Sequence, residues 1–269
     1  MKMTKQKMNN ARRSPFAAIL VILAGLLISG GGYAVASDAV DTTSVSATSQ
    51  ATVDAGKKLF LANCASCHGS NAEGTNMGPS LIGVGAASVD FQVGTGRMPG
   101  QASGPQMMKK PVQFTEEQTA QLAAYVASLA PGPSIPSEEW VGEAALAAGN
   151  TTKGGELFRI NCAMCHNAVG AGGALTEGKF APRLEGVEAK HIYEAMVIGP
   201  QNMPVFNDAN LTPEDKRDII SYLKYVEANP SAGGEELGGL GPVAEGLFVW
   251  IFVLGGIVVI TIWLGAKSN

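Results

Sequence analysis

Cysteine and histidine are both scarce in this chain, which has four cysteines and three histidines among its 269 residues. So few cysteines exclude a small fold that depends on many disulfides. Charge is also sparse: 16% of the residues are charged and 46% are apolar, so we expect part of the chain to lie in lipid. The net charge of −4 lacks the basic excess typical of nucleic-acid-binding proteins, and no nucleic-acid partner is predicted.

The few charges are unevenly placed along the chain. Residues 1–36 carry five basic side chains and no acidic one, and Lys267 lies near the other end. Residues 37–264 carry 13 basic side chains against 23 acidic ones. Basic ends around an acidic middle predict that both ends face the cytoplasm, with the middle on the extracytoplasmic side of the plasma membrane.

Two uncharged apolar runs suit a membrane. The first, within residues 1–36, fits either a cleavable signal peptide or an N-terminal transmembrane anchor, and both interpretations stay open. The second, Leu247–Leu264, would span about 27 Å as a helix, close to the hydrocarbon thickness of a bilayer. Trp250 and Trp263 near its ends are typical of interfacial residues. We therefore predict a transmembrane helix at 243–265 rather than a buried core helix.

Segments rich in small, polar or proline residues divide the rest of the chain. They predict linkers at 37–52, 132–150 and 230–242. Between the linkers lie two blocks of nearly equal length, 53–131 and 151–229, which we expect to be the folded domains.

The two blocks repeat one another. Residues 56–68 match residues 154–166, and both stretches end in Asn-Cys-x-x-Cys-His. Each block continues through a proline-containing loop and a Met-Pro pair to a closing helix with an apolar stripe. Thr115 and Thr212 are the expected N-caps of these helices. Both blocks are thus predicted to be all-α, with a first and a last helix that cross.

All four cysteines lie in the two Cys-x-x-Cys-His motifs, at 64–68 and 162–166. This motif is the signature of c-type haem attachment. The two thiols lie three residues apart on a helical turn and reach the two vinyl groups of one porphyrin, while the next histidine provides an axial nitrogen. We therefore predict two covalent haems c. The first haem is attached through Cys64 and Cys67, with His68 as an axial ligand of its iron. The second is attached through Cys162 and Cys165, with His166 as an axial ligand.

Three other interpretations of the cysteines are weaker. A zinc site formed by all four leaves the histidine after each pair unexplained. A redox dithiol belongs in a thioredoxin-like βαβ pattern, which this sequence does not show. A disulfide within Cys-x-x-Cys would be strained.

The second axial position of each iron follows from the histidine count. Only His191 remains outside the motifs, which excludes two bis-histidine haems. Met98 and Met203, each followed by proline, are the predicted sulfur ligands. The rival ligands are Met77, Met107 and Met108 in the first block, and Met196 and His191 in the second.

A carbonyl oxygen is expected behind each motif histidine. Pro79 and Pro182 follow the two motifs at matching places in the repeat. Their carbonyl groups are positioned to accept the free ring N–H, which would fix the imidazole tautomer. The alternative is a plain turn at each proline.

The two blocks resemble class I-type cytochrome c domains in tandem. Together with the C-terminal helix, residues 51–269 resemble the dihaem cytochrome c subunit of the actinobacterial menaquinol–cytochrome c reductase (the cytochrome bc complex), notably at 190–196 and 199–204. The resemblance implies neighbours in the membrane, namely cytochrome b and the Rieske iron–sulfur protein. It also implies that electrons pass to a terminal haem-copper oxidase in the same supercomplex.

The predicted function is therefore a membrane-anchored dihaem relay from the Rieske centre of a menaquinol-oxidising bc complex to that oxidase. The chain is expected to be the electron-transfer subunit of a quinol–cytochrome c reductase (translocase) complex, without catalytic activity of its own. The alternative is a dihaem electron carrier for another dehydrogenase or oxidase, which would not associate with cytochrome b. A dihaem peroxidase is a remote alternative, because Met98 and Met203 would close both irons and only His191 favours it.

Overall fold

The computed structural model describes Phe16 and residues 19–27, 49–101, 106–230 and 242–267. The chain divides into two units, Met1–Thr48 and Ser49–Asn269. In the first unit, residues 19–27 are helical and their side chains are exposed. The rest of the expected signal or anchor segment 1–36 lies outside the described residues apart from Phe16. So do residues 37–48 of the first expected linker and 231–241 of the third.

Four helices form the first domain, and two of them begin at side-chain caps. They are Gln50–Asn63 (α1), Ala65–His68 (α2), Gly85–Gly94 (α3) and Glu116–Ala127 (α4). Helix α1 begins after Ser49, whose side chain accepts the backbone N–H of Thr52. Helix α4 begins after Thr115, which forms a capping box with Gln118. The closing helix therefore begins where the sequence predicted.

Helices α1 and α4 cross closely because a glycine occupies the crossing point. A Cβ atom at Gly56 would overlap the backbone carbonyl group of Gln121. Beside the crossing, the rings of Phe60 and Tyr125 have centroids 5.2 Å apart. Both rings are buried in the core of the domain. The crossing thus fixes the end of α1, from which the first Cys-x-x-Cys-His motif continues.

The expected linker 132–150 is partly helical and packs on the second domain. It contains two short helices, Glu138–Val141 (α5) and Glu143–Ala147 (α6). Trp140, Val141 and Leu146 pack against the core of the second domain. The hydroxyl of Ser221 donates a hydrogen bond to the carbonyl oxygen of Leu146 at 2.9 Å. The segment packs in this way because burial against that surface removes its apolar side chains from water.

Four helices of the second domain repeat the four helices of the first. They are Thr151–Asn161 (α7), Ala163–His166 (α8), Ala189–Ile198 (α9) and Pro213–Ala228 (α10). Helix α10 has proline in its first turn and a capping box between Thr212 and Asp215. Gly154 occupies the crossing of α7 with α10, where a Cβ atom would overlap the carbonyl of Asp218.

A small hairpin distinguishes the second domain from the first. Strands Gly173–Ala174 (β1) and Phe180–Ala181 (β2) pair antiparallel, with Gly173 opposite Ala181. A short 3₁₀ turn, Thr176–Gly178, connects them. The hairpin is the only sheet among the described residues. The prediction of two all-α cytochrome c domains in tandem is confirmed apart from this pair of two-residue strands.

The C-terminal helix runs from Pro242 to Lys267 and has a π-helical stretch at Val249–Leu254. Within the described part of the chain, one helical span is long and apolar enough to cross a membrane. It is Glu245–Lys267, with a mean hydropathy of 2.7 and none of its apolar window buried. Nζ of Lys267 lies 5.3 Å from the ring centroid of Trp263. This helix agrees with the predicted span at 243–265.

Candidate haem sites

Each Cys-x-x-Cys-His motif forms a one-turn helix that faces its own cavity. Cys64 and Cys67 line a cavity of about 470 Å³. Cys162 and Cys165 line a second cavity of about 390 Å³. Both volumes lie in the range of cofactor sites. Because the two cysteine pairs line separate cavities, they do not form the four-cysteine zinc site considered as an alternative.

Burial keeps the first thiol of each motif protonated. Burial, together with the charge of Cys67, raises the pKa of Cys64 to about 11. Burial and the charge of Cys165 raise the pKa of Cys162 to about 11 in the same way. A metal needs the deprotonated thiolate. These surroundings therefore disfavour a thiolate metal site and suit a thioether, which carries no charge.

The motif histidines are held by backbone carbonyl groups, as expected. Nδ1 of His68 donates to the carbonyl oxygen of Pro79 at 2.8 Å. Nδ1 of His166 donates to the carbonyl oxygen of Pro182 at 3.0 Å. A carbonyl oxygen only accepts, so the proton is assigned to Nδ1 and Nε2 is free to bind iron. Burial also lowers the pKa of His166, which favours the neutral imidazole that a metal requires.

The two predicted sulfur ligands line the same cavities as the histidines. Met98 shares the first cavity with His68, and Met203 shares the second with His166. Each cavity therefore brings together two cysteines, one histidine and one methionine from a single repeat. These residues fit a covalent haem c with histidine and methionine as axial ligands.

Two of the three rival sulfur ligands of the first block are exposed, and the third lies beside Met98. Met77 is 68% exposed and Met108 is 57% exposed. Met107 lies close to Met98, since the sulfur atoms of both are neighbours of Gly100. Its backbone N–H is bonded across the domain interface to Oε1 of Gln201 at 3.1 Å. Met98 stays the predicted ligand.

Both rival ligands of the second block line the second cavity. Met196 is 2% exposed and belongs to the core that α9 and α10 share. Nε2 of His191 lies 3.7 Å from Oδ2 of Asp90, so this imidazole belongs to another cluster. Met203 therefore stays the predicted ligand, with Met196 as the rival that a substitution has to separate from it.

Each cavity takes part of its wall from the other domain, which the sequence did not predict. Residues 198–201 of the second domain line the first cavity. Phe91 and Arg97 of the first domain line the second cavity. The guanidinium carbon of Arg97 lies 4.8 Å from the ring centroid of Phe91. Because an arginine is always charged, Arg97 brings a fixed positive charge to the second cavity, which suits a haem propionate.

Both blocks of the chain match known cytochrome families. Residues 53–130 match the family model described as cytochrome c. Residues 149–223 match the model of the cbb3-type cytochrome c oxidase subunit III. The cytochrome bc1 complex cytochrome c subunit of Corynebacterium efficiens is 41% identical over 98% of this chain and 94% of its own length. The chain belongs to the family of cytochrome bc1 complex cytochrome c subunits.

Two further relatives show how far the similarity extends. The cytochrome bc1 complex cytochrome c subunit of Mycobacterium tuberculosis is 41% identical over 96% of this chain and 92% of its own length. The cbb3-type cytochrome c oxidase subunit FixP of Sinorhizobium medicae is 34% identical over 44% of this chain and 40% of its own length. The chain is thus an electron-transfer cytochrome with covalent haem c, and the predicted resemblance is confirmed.

Proposed function

We propose that this bc1-type cytochrome c subunit holds two haems c and relays electrons from a Rieske centre to a terminal haem-copper oxidase. The donor complex is a menaquinol-oxidising bc complex. One observation carries the proposal: two complete sets of attachment and axial residues line two cavities of a chain that also has a membrane helix. Haem, when bound, supplies a reversible one-electron iron couple.

The residues of both sites suit electron transfer better than chemistry on a bound molecule. We assign His68 and Met98 as axial ligands in the first site, and His166 and Met203 in the second. A thioether in the sixth position raises the reduction potential and leaves no open coordination site. A peroxidase requires such an open site. Nε2 of His191 lies near Asp90, which further disfavours a peroxidase.

A shared wall supports transfer from one site to the other within the chain. Pro200 and Gln201 line both cavities. A single layer of residues thus borders the two sites, and electron tunnelling is fastest over short separations. The covalent attachment and the domain interface together hold this arrangement. A relay in series uses both sites, whereas a mobile carrier needs only one.

The proposed partners follow from the names of the relatives and from the membrane helix. We infer that cytochrome b and the Rieske iron–sulfur protein are neighbours of the chain, and that the oxidase is the acceptor. The haem domains are assigned to the extracytoplasmic side of the plasma membrane, because Lys267 ends the C-terminal helix on the cytoplasmic side. A membrane anchor also raises the effective concentration of the haem domains near fixed partners.

Purification of the tagged full-length chain in mild detergent tests the proposal. Cytochrome b and the Rieske protein are expected in equal amounts with the chain, and the oxidase is expected to co-purify with them. A matched chain that ends before Pro242 lacks the membrane helix and should lose these partners while keeping its haem stain. Recovery of the full chain with a different dehydrogenase or oxidase, and without cytochrome b, would overturn the proposal.

A further inference from the structure

Three ionisable side chains meet in a buried cluster between the two haem domains. Asp90 lies on α3 of the first domain, while His191 and Glu194 lie one turn apart on α9 of the second. One ligand atom from each lies within 4.8 Å of the other two. Nε2 of His191 is 3.7 Å from Oδ2 of Asp90 and 4.0 Å from Oε2 of Glu194. The three residues are 7%, 9% and 0% exposed.

The central atoms of this cluster are not satisfied by the protein. Within the described part of the chain, neither carboxylate oxygen of Glu194 has a hydrogen-bond partner, and Nε2 of His191 has none. Buried polar atoms are normally paired with protein or with a bound group, so a cluster of orphaned atoms indicates that something else occupies the space between them. His191 and Glu194 of the second domain lie together opposite Asp90 of the first.

We propose that Asp90, His191 and Glu194 bind one zinc-class divalent cation, which joins the two haem domains. One imidazole nitrogen and two carboxylate oxygens form a ligand set that Zn²⁺ prefers. In a tetrahedral site with bonds of about 2.0–2.2 Å, the ligand atoms lie about 3.3–3.6 Å apart. The two spacings from His191, 3.7 and 4.0 Å, are a few tenths of an ångström wider, and all three spacings lie within 4.8 Å. Side-chain rotations close the site and leave a fourth position for water.

The charges and the tautomer around the cluster suit a cation. When both are ionised, Asp90 and Glu194 supply two negative charges, which balance a divalent ion. Burial, followed by the positive charge of Lys190, lowers the pKa of His191, which favours its neutral, metal-binding form. Nδ1 of His191 faces Oε2 of Glu188 at 3.9 Å, the direction in which metal-bound histidines usually find a carboxylate.

Lys190 is compatible with the site because it approaches Asp90 from the partly exposed surface. Its Nζ lies 2.8 Å from Oδ2 of Asp90, and its side chain is 37% exposed. A carboxylate oxygen has two lone pairs, so Oδ2 can accept from Lys190 and bind a metal at once. The competing occupant of the cluster is a proton on Glu194, since burial, followed by the charge of Asp90, raises the pKa of Glu194 to about 10.

Zinc titration of the full-length protein with its haems in place distinguishes a cation from a proton. After chelator treatment and dialysis, isothermal titration with ZnSO₄ is expected to give one site per chain. His191→Gln and Glu194→Gln should each weaken binding by about tenfold or more, since even outer residues of a metal site change affinity by about 10–100-fold. Glu156→Gln, an exposed position on α7 of the same domain, keeps all three ligands and their neighbours and serves as the control.

X-ray absorption at the zinc edge gives a second measurement that needs no variant. Nitrogen and oxygen neighbours at about 2.0–2.1 Å are expected, without sulfur at about 2.3 Å. A sulfur shell would assign the zinc to cysteines without haem and would overturn the proposal. So would the absence of a one-to-one zinc site, or equal zinc affinity in the wild type and His191→Gln. The haem absorption spectrum of each variant reports whether both haem domains remain folded.

Discussion

The side-chain amide of Gln106 bonds the backbone of Phe180 in both directions. Its Nε2 donates to the carbonyl oxygen of Phe180 at 2.9 Å, and its Oε1 accepts the Phe180 N–H at 2.8 Å. Gln201 makes the reciprocal pair, since it accepts the N–H of Met107 at 3.1 Å and donates to its carbonyl oxygen at 3.3 Å. Each domain therefore contributes one glutamine that forms two hydrogen bonds with the backbone of the other domain.

Replacing Gln106 should loosen this contact without unfolding either domain. In Gln106→Ala the N–H of Phe180 loses its acceptor, and the two lost hydrogen bonds correspond to about 1–3 kcal/mol of interface stability. Hydrogen exchange at Phe180 should accelerate, as measured by mass spectrometry. Gln121→Ala is the control, because its amide bonds Glu117 within α4. Equal exchange in both variants would show that the glutamine does not hold the hairpin.

Two haem additions are expected on the mature chain. Each motif has its own cavity and its own histidine–carbonyl pair, so the sites should load independently. Mass spectrometry of the wild type should show two haems, and Cys67→Ala or Cys165→Ala should each remove most of one. Cys67 and Cys165 occupy equivalent positions in the repeat, so each variant serves as the control for the other. A wild-type mass with one haem, or with zinc in place of haem, contradicts the assignment.

Replacing Met203 should remove one sulfur–iron bond. The oxidised wild type is expected to show the weak near-infrared band of sulfur-to-iron ligation from both haems. Met203→Ala should halve this band and lower one reduction potential, because the thioether favours the reduced iron. Met196→Leu removes the rival sulfur while preserving apolar volume. If the band halves in Met196→Leu and persists in Met203→Ala, the ligand is Met196.

Local features of the fold were predictable because they depend on residues close in sequence. The caps at Thr115 and Thr212, the motif turns and the carbonyl groups of Pro79 and Pro182 all lie within one repeat. Contacts between the domains were not predictable in this way. Gln106 and Phe180 are 74 residues apart, and a glutamine in a loop looks the same whether it is solvated or buried against another backbone.

The cluster of Asp90, His191 and Glu194 was likewise not predictable from the sequence, because its members come from both domains. His191 is the one histidine outside the two motifs, but its partner Asp90 lies on α3 of the other domain. The helical spacing of His191 and Glu194 was visible in the sequence, yet a single i, i+3 pair is common on helices. Packing of α3 against α9 was needed to give the pair its third member.

Cysteine labelling is expected to place the haem domains outside the cell. Glu139, between the domains, is exposed. Because the basic residue Lys267 favours the cytoplasmic side, Glu139→Cys should react with a membrane-impermeant maleimide on intact cells. Asn269→Cys, two residues after Lys267 in the sequence, should react only after permeabilisation. If both haems are attached as proposed, the four native cysteines form thioethers and the unsubstituted chain gives a low background. The reverse labelling pattern would contradict the assigned topology.

A relay in series predicts that damage to either site slows respiration. Pro200 and Gln201 line both cavities, and under the proposed relay a change in either potential should affect the whole route. Met98→Ala and Met203→Ala should therefore both reduce quinol-dependent oxygen consumption in membranes. Met108→Ala, which removes a 57% exposed methionine, serves as the control.

Stopped-flow reduction by quinol then locates the affected step in each variant. In a series relay, the site nearer the donor still fills at the normal rate when the other site is altered, while delivery to the oxidase is delayed. Altering the site nearer the donor delays the filling of both. If one variant respires normally although its haem spectrum confirms the lost sulfur ligand, electrons bypass that site. The remaining site would then carry the current alone, and the two-site relay would be wrong.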